Sequence, residues 1–141
     1  MFRTNFFISE MPVGKQRPRF RRQGNFVRTY TAAKTVDYEE RVKTECRTAM
    51  GNEPPLETPV VVCIYIMFPI PASYSKKRTQ DCLDNLERPT KKPDIDNIAK
   101  SITDAMNGIA YKDDSQIVSM HLTKVYAQTA GVHINISEEL P

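Results

Sequence analysis

Apolar positions recur along this chain in two periods, and each predicts its own elements. The helical period is clearest where Ile95, Ile98, Ala99, Ile102, Ala105, Met106 and Ile109 follow one another at intervals of three and four. Asn107-Gly108 then supplies a stop, so the spacing predicts a helix opening near residue 95. A second helix is predicted over residues 32–50. There Tyr38, Val42 and Cys46 fall four apart on one face, Glu39, Glu40, Lys43 and Arg47 lie elsewhere, and Gly51 ends the run. Strands are predicted at residues 5–8 and 26–30. The stretch PVVVCIYIMF (59–68) is apolar and β-branched throughout, which predicts a strand buried on both faces. Val118, Met120 and Leu122 alternate with Ser119, His121 and Thr123, and Val132, Ile134 and Ile136 alternate again after Gly131. Those two runs read as an antiparallel hairpin. Between them and the apolar strand lies a long excursion, residues 69–93. It carries Pro69, Pro71, Pro89 and Pro93, the cluster Lys76-Lys77-Arg78, and a predicted short helix near residues 75–87.

The order of these elements describes an α+β protein, and 141 residues is the length of a single domain, residues 1–141. A hydrophobic fraction of 40% with 26% charged residues excludes collagen, an acidic disordered chain and a coiled coil. The longest apolar stretch, 59–71, is shorter than the ~20 residues of a membrane span, and the N-terminus lacks an apolar leader, so a soluble, cytoplasmic protein without a membrane partner is expected. Cys46, Cys63 and Cys82 have no paired spacing and are expected as free thiols, with Cys63 a small buried strand residue. His121 and His133 have no co-ligand at metal-binding spacing and read as ordinary strand or surface residues.

Charge changes the picture. Residues 1–50 carry 11 Lys/Arg against 5 Asp/Glu, whereas residues 94–141 carry 3 against 7. Within residues 11–30, Lys15, Arg17, Arg19, Arg21, Arg22 and Arg28 stand without a single acid. Phe20, Phe26 and Tyr30 are interleaved with them, and Pro12, Gly14, Pro18 and Gly24 mark loop and turn. Arginine forks match phosphates and aromatic rings stack on bases, so this stretch is a candidate nucleic-acid contact, to which Lys76 and Lys77 add. A basic region beside an acidic one is the distribution a phosphodiester-cleaving enzyme needs.

The acidic third opens with KKPDIDNIAK. Pro93 disfavours helix in Lys92, so the chain arrives extended; Asp94 then suits an N-cap and Asp96 the first turn. Lys100 follows Asp96 by four residues on the same polar face. A second acidic pair, Asp113-Asp114, lies in the turn that brings the chain back beside the helix, so Asp114 could reach the same place. Three carboxylates near one lysine would give oxygen ligands for Mg²⁺ or Mn²⁺, with water completing the shell. Helix capping plus a turn would use the same residues, and spacing alone leaves both readings open.

The stretch KPDIDNIAKSITDAMNGIAYKDDSQIV (92–118) resembles the signature of the RusA family of Holliday junction resolvases: a DxDN opening a helix, a lysine four past the second aspartate, a DAMNG helix end and a DDSQ turn. PVGKQRPRF and RTYTAAKTVDYEERV resemble the phage and prophage branch of that family. The resemblance implies an α+β fold with a mixed sheet and helices packed on it. It further implies a homodimeric, metal-dependent endodeoxyribonuclease that resolves four-way junction DNA by paired symmetric nicks, with Mg²⁺ or Mn²⁺ as cofactor and no small-molecule cofactor. By position, Asp94, Asp96 and Asp114 match the metal-binding aspartates and Lys100 the catalytic lysine. Asp113 matches the neighbouring acid, and Asn97 matches the asparagine expected to orient Asp94 or cap the helix. The excursion 73–92 departs from the pattern and could reshape the DNA-binding face.

Two other readings compete. A PD-(D/E)xK nuclease would carry its lysine on a strand after Pro93-Asp94, whereas here Lys100 lies on the predicted helix. A non-catalytic DNA-binding phage accessory protein would gain nothing from keeping Asp94, Asp96, Lys100 and Asp114 beside a polyanion.

Overall fold

The structure, a computed structural model, describes residues 1–15, 19–23, 26–30 and 33–139. Strand β1 (Arg3–Ile8) is followed by a hairpin of β2 (Arg19–Gln23) and β3 (Phe26–Tyr30), then helix α1 (Ala33–Met50) and strand β4 (Val60–Pro69). Helices α2 (Lys76–Leu83) and α3 (Ile95–Met106) lead to β5 (Ile117–Ala127) and β6 (Gly131–Glu138). Four strands form one mixed sheet in the order β1-β6-β4-β5, and β2 and β3 form a separate two-stranded sheet. The protein is therefore α+β, as the order of elements predicts, with a mixed sheet and helices packed on it, as the resemblance implies.

The core lies between one sheet face and helices α1 and α3. Ile8, Val62, Ile64, Ile66, Ile134 and Ile136 of the sheet are shut off from solvent, together with Val42 and Cys46 of α1 and Ile98, Ile102 and Met106 of α3. The periodicities that predicted the two helices are the stripes they bury. All three cysteines are free thiols, Cys63 only half-buried.

Three expectations are corrected. First, β4 is not buried on both faces: its exposure alternates, with Tyr65 42% exposed. It is apolar throughout because it is central, paired antiparallel to β6 and parallel to β5, although helices cover only one face. Secondly, β5 and β6 are not a hairpin. Their linking turn passes the end of β4, which lies between them, with Pro69 opposite Ala127 and Met67 opposite Gly131. Alternation shows that a strand has one wet face; it does not name its neighbour. Thirdly, residues 19–23 are strand rather than loop, with Arg19 opposite Tyr30 and Gln23 opposite Phe26. A two-stranded sheet apart from the main one leaves no core alternation in the sequence to announce it. The helix predicted in the excursion is present as α2, started by Ser75, whose Oγ accepts from the Arg78 N–H at 3.1 Å.

Helix α3 ends against the core through Tyr111. The Asn107 N–H turns to the Asp104 carbonyl at 3.3 Å, and the buried Tyr111 hydroxyl donates to the Thr103 carbonyl at 2.7 Å in place of that helical donor. Tyr111→Phe should therefore cost about 1–3 kcal/mol. A drop of several degrees in melting temperature would report it; an unchanged midpoint would show that Thr103 has another donor.

Candidate active site

The parallel crossover from β4 to β5 carries α3, and the start of α3 is held from two sides. From the sheet, the Lys124 ammonium donates to the carbonyls of Lys91 (2.6 Å) and Pro93 (3.0 Å), across a cis Lys92-Pro93 peptide. From the N-terminal segment, the Lys15 N–H donates to the Asn97 carbonyl at 2.8 Å, and the buried Ser101 hydroxyl donates to the Val13 carbonyl at 2.9 Å. Between those bonds Gly14 lies so close that a Cβ there would stand 2.9 Å from the Pro93 Cβ and 3.2 Å from the Asn97 Cβ.

Asp94 is the N-cap residue of α3, with extended φ/ψ of −67° and 149°, as predicted, but its carboxylate makes no capping bond. An aspartate at this position ordinarily accepts from a backbone N–H one turn on. Here the carboxylate is left for another partner. Asp96 stands in the first turn, and both acids are exposed. They line the same concavity, about 720 Å³, with Gly14, Lys15, Lys34 and Lys92 on its walls.

A chain of alternating charges runs along α3 from there. Lys15 Nζ lies 2.5 Å from Glu39 Oε1 of α1 and 3.5 Å from Asp104 Oδ2; Lys100 Nζ takes the other Asp104 oxygen, Oδ1, at 2.7 Å. The hydrogen bond from Lys100 to Asp104 holds the Lys100 pKa above the usual lysine range, with the charges of Asp104, Asp114 and Glu39 adding to it.

Asp94 and Asp96 are brought together. Asp114 opens on a second concavity of about 370 Å³, beside Thr103, Ile117, Val118, Ser119 and Met120. Among the described residues, no three Asp, Glu, His or Cys side chains gather closely enough to hold a metal ion between them. Asp113 serves the turn: it accepts from the Ser115 N–H at 3.2 Å, its own N–H donates to Gln116 Oε1 at 2.9 Å, and those Ser115 bonds draw its pKa below the usual carboxylate range. Lys100 pairs with Asp104, the acid four residues onward, and not with Asp96. Asn97 contributes its carbonyl to Lys15 and its Cβ to the seat of Gly14; no hydrogen bond of its side chain is found among the described residues.

Of the candidate DNA contacts, Lys15 is spent on Glu39 and Asp104 with its side chain 28% exposed. Arg17 lies outside the described residues, Arg19, Arg21 and Arg22 fall on β2, and Lys76 and Lys77 are exposed in the first turn of α2. Sequence reasoning missed Asp104, Glu39, Lys34 and Lys92. The four-residue steps from Asp96 to Lys100 to Asp104 were available as a signal; that Glu39 meets Lys15 was not, because it depends on how α1 crosses α3.

Asp104→Asn should leave the Lys100 ammonium with a neutral acceptor in place of a charged one and lower its pKa. Any rate that needs this ammonium should then fail at lower pH than in the wild type. A pH–rate profile checks this, and an unmoved alkaline limb would show that Asp104 does not govern Lys100.

Residues 10–137 match the family described as Endodeoxyribonuclease RusA. The chain is also 33% identical, over 137 residues covering 94% of each sequence, to the protein of Bacillus subtilis (strain 168) described as "Uncharacterized protein YqaN".

Proposed function

Because this chain belongs to the RusA family of endodeoxyribonucleases, we propose that it is a metal-dependent nuclease that resolves four-way DNA junctions, as a homodimer making paired symmetric nicks. The observation that carries the reading is the pair Asp94 and Asp96, two carboxylates with no hydrogen-bond or ion-pair partner among the described residues, lining one cavity between lysines.

That donor set fits Mg²⁺, which is characteristically bound through one or two carboxylates, with waters and substrate phosphate oxygens filling the remaining positions. Mn²⁺ accepts the same oxygen donors. Asp94 and Asp96 would hold the cation, which when bound polarises the phosphodiester and lowers the pKa of a water. The chain's own residues do the rest. The bonds from Lys124, Lys15 and Ser101 fix the backbone that bears the two acids, so their carboxylates need little reorganisation. Lys100 supplies a fixed positive charge for the scissile phosphate or the leaving oxygen, with Asp104 as its resting partner. Asp114 matches the third aspartate of the family signature, and its charge adds to those that raise the Lys100 pKa. The lysine stands on a helix, as the resemblance implies and a PD-(D/E)xK nuclease would not have it.

The test is cutting of a synthetic four-way junction in Mg²⁺, with nick positions mapped on both strands. Symmetric paired nicks that disappear in EDTA are expected. Junction binding with no cutting in either metal would favour a DNA-binding accessory protein.

A further inference from the structure

We propose that Lys34 and Lys92 hold DNA backbone phosphates in the acid-lined cavity, adding to the phosphate contacts expected of the basic run from Lys15 to Arg22; this rests on the nuclease reading of that cavity. Three lysines line it. Lys15 is already neutralised by Glu39 and Asp104. Lys34 and Lys92 are both exposed, and no carboxylate among the described residues lies within ion-pairing distance of either.

The two lysines come from different elements. Lys34 stands in the first turn of α1, an 18-residue helix whose first turn contains no acid, so the helix dipole adds to its charge. Lys92 immediately precedes Pro93-Asp94, and the carbonyls on either side of it, Lys91 and Pro93, are both fixed by Lys124. Its backbone is anchored while its side chain is exposed. A polyanion cannot approach two ionised carboxylates without compensation. Two unspent lysines balance Asp94 and Asp96, and leave the cavity near neutral until a divalent cation tips it toward phosphate. The lysines thus hold the backbone with or without the cation, and a bound cation would tighten that hold.

The experiment uses the full chain with Lys34→Gln, Lys92→Gln and the double variant. Affinity for a labelled four-way junction is measured in EDTA across a salt series, cutting is measured in Mg²⁺ under single-turnover conditions, and Mn²⁺ binding to the protein alone is followed by electron paramagnetic resonance. The slope of log K against log salt should flatten by about 0.9 for each lost phosphate contact. Cutting should slow, Mn²⁺ binding should be kept or tighten because positive charge has left the cavity, and Lys→Arg at each position should restore the slope. A wild-type salt slope in the double variant overturns the assignment, whatever the cutting rate. The reading of this cavity as the nuclease site fails separately, if Asp94→Asn and Asp96→Asn both bind Mn²⁺ and cut as wild type does.

Discussion

Asp94→Asn and Asp96→Asn are each expected to slow junction cutting by at least about 10²-fold under single-turnover conditions while junction binding survives or tightens. On the proposed nuclease reading the cavity receives both a cation and a phosphate, so each carboxylate removed takes a cation ligand and a repulsive charge together. The fold should hardly notice. Asp94 makes no capping bond that asparagine would forfeit, and asparagine is as good an N-cap residue as aspartate. Asp96 gives up a favourable position near the helix dipole, about 0.3–1 kcal/mol. The decisive measurements are junction cutting in Mg²⁺, junction affinity in EDTA and a thermal melt of each variant. Wild-type cutting by either one would remove that acid from the site. Weakened binding with a depressed melting temperature would mean that the carboxylates serve the fold instead.

How far the sequence carried this picture depends on which contacts a local pattern can report. The start of α3 was legible almost to the residue, because Pro93, Asp94, Asp96 and the apolar stripe beginning at Ile95 each speak to a neighbour within one helical turn. The turn at Asp113 was legible for the same reason, although its capping role belongs to Asp113 and leaves Asp114 facing a different concavity. Strand order was not. Both β5 and β6 alternate as half-buried strands, and nothing in either run says that β4 enters between them; that is decided by the parallel ladder from Val60 to Pro69. The partner of Lys15 escaped notice for a related reason. In the sequence this lysine opens a basic run and looks solvent-facing, but the hydrogen bond from its backbone to Asn97 turns it toward Glu39 and Asp104, residues 24 and 89 positions away. Basic composition alone could not say that one member of the run is ion-paired within the fold.

Gly14→Ala is expected to damage stability and cutting together, although residue 14 bears no functional group. The obstacle is steric. An added Cβ would meet the Cβ atoms of Pro93 at 2.9 Å and Asn97 at 3.2 Å, and neither is the loose end of a side chain. Pro93 is a ring whose carbonyl is held by Lys124, and Asn97 lies inside α3 with its carbonyl bonded to Lys15. Relief can come only by moving the segment 13–15 away from the helix or by moving residues 93–97 with their acids. The first course stretches the bonds from Lys15 to Asn97 and from Ser101 to Val13 and draws Lys15 from Asp104; the second displaces Asp94 and Asp96. Overpacking of this kind costs about 1–3 kcal/mol. Displacement of a catalytic group on the order of 1 Å costs about 10²-fold in rate. Lys15→Met is the informative contrast, since it keeps the glycine seat and both backbone bonds while losing the ion pairs, and should melt and cut closer to wild type. Melting temperature and single-turnover cutting, measured on both variants, test the idea. A Gly14→Ala protein that melted and cut as wild type does would show that the N-terminal segment is not what holds the acids in place.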